Sequence, residues 1–349
     1  MNAAKQNWVE RVWYGDSPVY WLLLPLTGLF AAAAALRRFL YRHGFLKVTR
    51  VDAPVVVVGN IAAGGTGKTP VTIWLVRELR RRGQVPGVIS RGYRAKVGPM
   101  PLEATEDSDI GSVGDEAVML ARQCECPVVV HPDRVAAAEK AIELGANILV
   151  SDDGLQHYRL HRDVEIAVVD GSRGFGNGSL LPAGPLREPV SRLDDVDIVL
   201  VHRQIGDDEE RQVLRRSSDP QPVDFWLKAR AVVRLDHSEV RELDDFAGST
   251  VHAVAGIGHP ERFFRMLEAH RIKVYRHPLP DHADIEHADI SFGDELNVLM
   301  TEKDAVKCRW LDTSNCWYVP VGADFDVSDA DMLLNAIFAK FEDRKAAET

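Results

Sequence analysis

Cysteine is scarce in this chain: four in 349 residues, at Cys124, Cys126, Cys308 and Cys316. That excludes a disulfide framework for a protein of this size. The Cys124-x-Cys126 spacing is wrong for a zinc knuckle, and Cys308 and Cys316 sit in no ligand pair, so all four read as reduced thiols. An excess of basic residues is missing too. The formal net charge is −10, which argues against a nucleic-acid partner. Internal repeats are absent, and the only low-complexity tract is Ala31 to Ala35. With 46% hydrophobic and 27% charged residues, the composition is that of a globular chain long enough for two domains.

Long apolar runs are also lacking, with one exception. Val19 to Leu36 reads VYWLLLPLTGLFAAAAAL without a charge. As a helix it covers about 27 Å, just short of a hydrocarbon core. Trp8, Trp13, Tyr14, Tyr20 and Trp21 gather at one end, and Arg37, Arg38, Arg42, Lys47 and Arg50 follow at the other. Aromatic residues favour the membrane interface, and the basic cluster keeps the rest of the chain in the cytoplasm. A cleaved signal peptide fits poorly, because no basic start precedes the run. Spanning and lying on the surface stay open, and Pro25 with Gly28 keeps a buried core helix as the alternative.

Beyond residue 50 the pattern alternates. Val55 to Val58 is a β-branched run of the kind buried in parallel sheets, and a glycine-rich turn leads into a helix opened by Pro70. Strands follow near Val85 to Ile89, Pro127 to Val130, Ile148 to Ser151, Glu165 to Val169 and Asp197 to His202, with helices at Asp115 to Arg122 and Pro132 to Leu144 between them. This predicts a P-loop NTPase-type α/β fold, a doubly wound parallel sheet over 51–225, after an N-terminal membrane-associated segment at 1–50. Ile205 to Pro222 reads as a charged surface excursion, and Asp224 to Leu235 as a β-rich hinge. A smaller α/β domain is expected over 226–349, with strands at Val251 to Ala255, near Val298 and at Trp317 to Val321, a helix from Glu261 and a last helix from Asp329 to Phe341.

The chemistry concentrates in Gly64-Gly65-Thr66-Gly67-Lys68-Thr69. Placed between a buried strand and a helix start, this is a Walker A context. Glycines let backbone N–H groups converge on phosphates, Lys68 neutralises the β/γ charge, and the Thr69 hydroxyl ligates Mg²⁺. Ala62 stands where the strict pattern has glycine. Asp152 and Asp153 end the Ile148 strand, where carboxylates face the ligand crevice, and are the expected Mg²⁺ ligands. Thr301-Glu302-Lys303-Asp304 superficially looks like a guanine-reading motif, but its lysine and aspartate are adjacent and the spacing fails, so ATP is expected. The P-loop also lacks the early lysine of switch ATPases.

Further segments bring a resemblance. Val58-Gly59-Asn60 before the P-loop, Ser90-Arg91-Gly92-Tyr93, Gly114-Asp115-Glu116, Asp152 to His157 (DDGLQH) and Leu181 to Pro189 (LPAGPLREP) resemble the tetraacyldisaccharide 4'-kinase, or lipid A 4'-kinase, family. Ala255 to Gly258, Pro280-Asp281-His282 and Thr301 to Asp304 extend the resemblance, in order, to about residue 307. Leu155 stands where many relatives have phenylalanine.

The resemblance implies transfer of the ATP γ-phosphate to the 4'-hydroxyl of a tetraacyl disaccharide 1-phosphate, giving lipid IVA, at the cytoplasmic face of a bacterial inner membrane. It maps the family's catalytic aspartate onto Asp115 and its partner histidine onto His282. It also implies that Glu188 supports the metal or the catalytic water network and that Arg187 faces a phosphate. Arg91, Tyr93, Gln156 and His157 become candidate sugar or headgroup contacts. The expected partners are the lipid A disaccharide precursor, ATP and inner-membrane lipids, with no nucleic acid, and the expected state is a monomer. A soluble small-molecule kinase and a nucleotide-switch ATPase remain the rival classes.

Overall fold

The computed structural model describes residues 3–93, 95–204, 221–308 and 315–348; most of the surface excursion expected at Ile205 to Pro222 lies outside them. The strands run in chain order as β1 (Val55–Gly59), β2 (Pro86–Ser90), β3 (Leu102–Ala104), β4 (Val128–Val130), β5 (Ile148–Asp152), β6 (Val164–Asp170), β7 (Ile198–Arg203), β8 (Val223–Ala229), β9 (Ala231–Arg234), β10 (Val240–Glu242), β11 (Thr250–Ala255), β12 (Lys273–Pro278), β13 (Val298–Thr301), β14 (Cys316–Val319) and β15 (Val321–Asp324). The helices are α1 (Ala3–Tyr14), α2 (Val19–Arg42), α3 (Lys68–Arg81), α4 (Ile110–Val113), α5 (Asp115–Cys124), α6 (Arg134–Glu143), α7 (Pro260–Ala269), α8 (His287–Ile290), α9 (Glu302–Ala305) and α10 (Val327–Glu348).

A nine-stranded sheet has the order β15-β8-β7-β6-β1-β5-β2-β4-β3. Its strands are parallel except the two edges, β3 and β15. The four valines of β1 are all buried, as expected for a central strand covered on both faces. On one face α3 lays Val71, Leu75, Val76 and Leu79 into a core shared with α5 and α10; the other face packs under α6 with Leu155, Leu186 and Leu193. The helix begins at Lys68, two residues before the expected Pro70.

A second sheet, β10-β9-β14-β13-β11-β12, carries its own cores. The chain crosses to it between β8 and β9 and returns between β14 and β15. The return departs from a boundary of 226–349. β15 pairs with β8 from Val321 to Asp324, and Leu333, Leu334, Ile337 and Phe341 of α10 enter the first core. The apolar face of the last helix is thus covered by the first unit, because β15 extends the first sheet's edge.

α2 is 24 residues long and none of them is buried. Trp21, Leu22, Leu26, Leu29 and Leu36 are exposed. The opposite flank is fastened to the body. The Tyr20 hydroxyl lies 3.0 Å from Ser179 Oγ, the Ala183 N–H donates to Thr27 Oγ1 at 3.0 Å, and Arg38 pairs with Asp195. From Tyr20 to Arg38 these ties span about 27 Å of helix.

Candidate active site

The phosphate-binding turn follows β1. Gly64 (φ 116°) and Gly67 (φ 93°) adopt left-handed backbone that only glycine takes without strain. Asn60 is fully buried and its Nδ2 donates to Thr66 Oγ1 at 3.3 Å, bracing the turn from beneath. The Leu181 to Pro189 loop lies alongside: the Ala63 N–H donates to the Pro185 carbonyl and the Arg187 N–H to the Ile61 carbonyl, both at 2.7 Å. Lys68 and Thr69 therefore sit in the first turn of α3, with its backbone N–H groups available to an anion.

β5 delivers the paired aspartates beside this turn. Asp152 is buried and accepts from the Thr72 hydroxyl at 2.9 Å. Burial first, then the neighbouring Glu116 and Asp153, push its carboxyl up to about 7. Asp153 behaves oppositely. Burial opposes its charge, but Lys68 Nζ at 3.7 Å and Arg187 Nη1 at 3.1 Å hold it down to about 2. One carboxylate is thus firmly ionised and tied to the phosphate-loop lysine, while burial and acidic neighbours disfavour the charge on the other.

The second half of the site comes from across the unit boundary. Asp115 opens α5, buried, with Oδ1 accepting from the Glu116 N–H at 2.9 Å. Its Oδ2 lies 2.8 Å from His282 Nδ1, which stands in the loop after β12. Burial opposes ionisation of Asp115, but His282, Lys303 and Lys307 outweigh it and hold the carboxyl below its ordinary range. His282 (φ 59°) and Asp153 (φ 48°) are both non-glycine residues in left-handed backbone, a strain that persists where the surroundings over-determine it.

Lys303, on α9, escaped the sequence reading as a site residue. Its Nζ is 3.0 Å from His282 Nε2, 3.0 Å from Asp281 Oδ1 and 3.7 Å from Glu116 Oε1. The pin beneath it is Asp304, fully buried, whose carboxylate accepts from the Gly256 N–H at 2.7 Å and the Thr301 hydroxyl at 2.6 Å. A Cβ on Gly256 would lie 2.7 Å from Asp304 Oδ1, so glycine is required there. The Thr301 to Asp304 segment is therefore a bracket that aims Lys303 at His282, with Lys307 Nζ 3.9 Å from Asp115.

The remaining candidates divide. The Tyr93 ring lies 5.1 Å from the His282 ring, beside the Asp115 pair. Arg187 is drawn to Asp153. Arg91 is exposed just past β2. Burial, with Arg134 and Arg91 nearby, pushes His157 down to about 3, so it is neutral at physiological pH. Gln156 turns inward to the Asn60 carbonyl at 3.0 Å and to Glu188 at 2.7 Å. Glu188 has both oxygens engaged, by Gln156, by the Tyr158 hydroxyl at 2.5 Å and by Arg192 Nε at 3.2 Å. It braces the loop from inside, a role that the charge of a glutamate near a P-loop does not reveal.

The junction of the units also holds a cleft of about 1030 Å³. Glu10, Trp13 and Tyr14 of α1 form one wall and Gly258 to Glu261 another. Gly258 faces Gly65 of the phosphate loop, and Arg262 of α7 grips the buried Asp170 at 2.5 and 2.6 Å. The cleft thus runs from α1 to the Gly258 turn, whose far side faces the phosphate loop.

The family profile described as tetraacyldisaccharide-1-P 4'-kinase matches residues 19–339. The tetraacyldisaccharide 4'-kinase of Nitrosococcus oceani is 44% identical over 94% of this chain and 94% of its own length. That of Stenotrophomonas maltophilia is 47% identical over 92% of this chain and 94% of its own. Among solved structures, LpxK from Aquifex aeolicus in complex with ATP superposes with a TM-score of 0.78 at 27% identity, over 93% of this chain and 99% of that one.

Proposed function

The chain belongs to the tetraacyldisaccharide-1-P 4'-kinase family and is an ATP-dependent kinase, and from that premise we propose how its residues divide the work. The reaction moves the γ-phosphoryl group of ATP onto the 4'-hydroxyl of a tetraacylated disaccharide 1-phosphate, a step in making lipid A. The backbone from Gly64 to Gly67 cradles the phosphates, and Lys68 neutralises charge gathering on the β/γ bridge. Asp152, Asp153 and the Thr69 hydroxyl offer only oxygen donors, the set Mg²⁺ prefers, and carboxylates plus nucleotide phosphates are its usual company in kinases. Bound there, Mg²⁺ would neutralise the β and γ oxygens.

The observation that carries the proposal is the 2.8 Å contact between Asp115 and His282 across the unit boundary. An ionised Asp115 accepts a hydrogen bond from the sugar hydroxyl, aligns its oxygen on the γ-phosphorus and takes its proton as the new P–O bond forms and the bond to ADP breaks. His282, carrying its proton on Nδ1, holds the carboxylate in place. Lys303 donates to Nε2 and so selects that tautomer. Arg187, Arg91, Tyr93 and His157 line the approach of the disaccharide and its phosphate.

The acyl chains need an apolar approach, which the exposed face of α2 supplies. A helix fastened along about 27 Å of one flank cannot cross a bilayer without dragging the polar Ser179 to Ala183 loop into hydrocarbon. We place α2 on the surface, in the cytoplasmic interface of the inner membrane, with Trp21, Leu22, Leu26 and Leu29 immersed. The test is incubation of the purified protein with ATP, Mg²⁺ and the tetraacyl disaccharide 1-phosphate in mixed micelles. Mass spectrometry should show one added phosphoryl group on the lipid. ADP release without lipid phosphorylation would overturn the assignment in favour of a nucleotide switch.

A further inference from the structure

The last turns of α2 overhang a second, separate cavity of about 360 Å³. Arg38, Tyr41 and Arg42 descend into it from the helix, and Arg162 and Arg192 close it from the body. Two carboxylates, Glu165 and Asp195, share its wall. They do not satisfy the arginines. Arg192 is 2% exposed; its Nη2 donates to Glu165 at 2.6 Å, yet its Nη1 has no hydrogen-bond partner. Arg162 spends Nη1 on the Leu155 carbonyl and on Glu165, at 2.9 and 2.8 Å, and its buried Nη2 is equally without a partner. Arg38 is paired with Asp195, while Arg42 reaches the same carboxylate only at 4.0 Å and remains largely exposed. Glu188 also pairs with Arg192, through Nε at 3.2 Å from behind the wall, so four guanidiniums face three carboxylates, leaving one positive charge in excess and two buried N–H groups, Arg192 Nη1 and Arg162 Nη2, without a partner.

Unsatisfied buried donors are costly, and guanidinium forks match the oxygens of a phosphate ester. We propose that this cavity binds a phosphate ester, with the headgroup of an anionic phospholipid as the source. The position favours the lipid. The cavity lies at the basic end of the helix whose apolar face is exposed, where a lipid phosphate stands beside immersed side chains. Tyr41, with its ring 5.8 Å from Tyr158, supplies an amphipathic wall of the kind found at that level. The site is separate from the phosphate loop, and only its choice of a lipid over a soluble phosphate rests on the placement of α2 at the membrane surface.

The test uses the full-length protein and vesicles of phosphatidylcholine alone or with about 30 mol% phosphatidylglycerol. Co-sedimentation is compared for the wild type, for Arg38→Ala with Arg42→Ala, and for Arg37→Ala with Lys47→Ala. The last pair removes the same charge from the same segment but lies outside the cavity. Wild type should prefer the anionic vesicles. The cavity pair should lose about tenfold or more of that preference, and the control pair much less. Equal losses in both pairs would overturn the site, leaving diffuse attraction. A third arm titrates inorganic phosphate and follows thermal stability. Stabilisation by phosphate, absent in the cavity pair and without any vesicle preference, would keep the phosphate site and assign it a soluble ligand. Failure of the wild type to bind neutral vesicles bears on the placement of α2, and the phosphate arm still decides the cavity.

Discussion

In the proposed catalytic centre, six consecutive residues, Gly64 to Thr69, make the phosphate-binding half. The half proposed to face the acceptor hydroxyl is drawn from three segments, with Asp115 and His282 separated by 167 positions. The first half stands on β1 and α3, inside a core built by one unit except for Val306, which the other unit inserts. The second exists only while two units are held together, through Asp115 to His282, Lys303 to Glu116 and Arg262 to Asp170. Nucleotide binding and phosphoryl acceptance therefore rest on different structural conditions, and closure of the junction can couple them.

The sharpest way to break this contrast is to strike each half. Asp115→Ala and His282→Ala should each lower kcat by about 10²–10⁴ while leaving the ATP KM near wild type. Because one residue acts through the other, the double variant should be little worse than its weaker parent. Lys68→Ala, by contrast, should cost at least about a hundredfold in turnover and also weaken ATP binding. Steady-state kinetics on variants checked for folding by circular dichroism decides the matter. Fully multiplicative losses for Asp115 and His282 would mean two independent roles.

A smaller effect is expected one step further out. Lys303→Met removes the donor to His282 Nε2 and should lower kcat about tenfold with the ATP KM unchanged, and Lys303→Arg should restore part of the loss. In a His282→Ala background the same substitution should cost almost nothing, because there is no imidazole left to orient. An undiminished cost in that background would show Lys303 acting directly on substrate.

How much of this was legible follows the same division. The P-loop could be read because a buried β-branched strand, a glycine turn and an amphipathic helix are local patterns. The aspartates ending β5 were equally local. Asp115 and His282 needed a family resemblance, since nothing in either segment points to the other. Lys303 was hidden by its motif: Thr301 to Asp304 looked like a failed nucleotide-reading sequence, whereas Asp304 is a backbone clamp on Gly256. The resemblance gave Glu188 a place by the metal or the catalytic water network, but only tertiary packing shows Gln156, Tyr158 and Arg192 turned onto its carboxylate. The strand β12, reading Lys-Val-Tyr-Arg-His-Pro at a sheet edge, had too little apolar alternation to stand out. The return of β15 and α10 to the first unit depends on which open edge accepts a strand, a property of the whole sheet.

The smallest expected effect separates function from stability inside the phosphate half. Asp152 titrates near 7 in the folded protein, raised by burial first and then by Glu116 and Asp153, against about 3.9 when unfolded. Between those values the folded state keeps a proton that the unfolded chain has released. Its contribution to stability is therefore greatest below about pH 4, is lost as pH rises to about 7, and stays lost above. A shift of about three units caps the loss at roughly 4 kcal/mol. Asp152→Asn keeps an acceptor for the Thr72 hydroxyl and removes the charge, so it should raise Tm by about 5 °C at pH 8 and by little at pH 4. Differential scanning calorimetry without nucleotide or Mg²⁺ measures this directly. With both ligands present at pH 8 the order should reverse, because the wild type gains binding free energy that the variant cannot. A Tm difference that is the same at both pH values would mean that the carboxylate's burial is not what costs the protein stability.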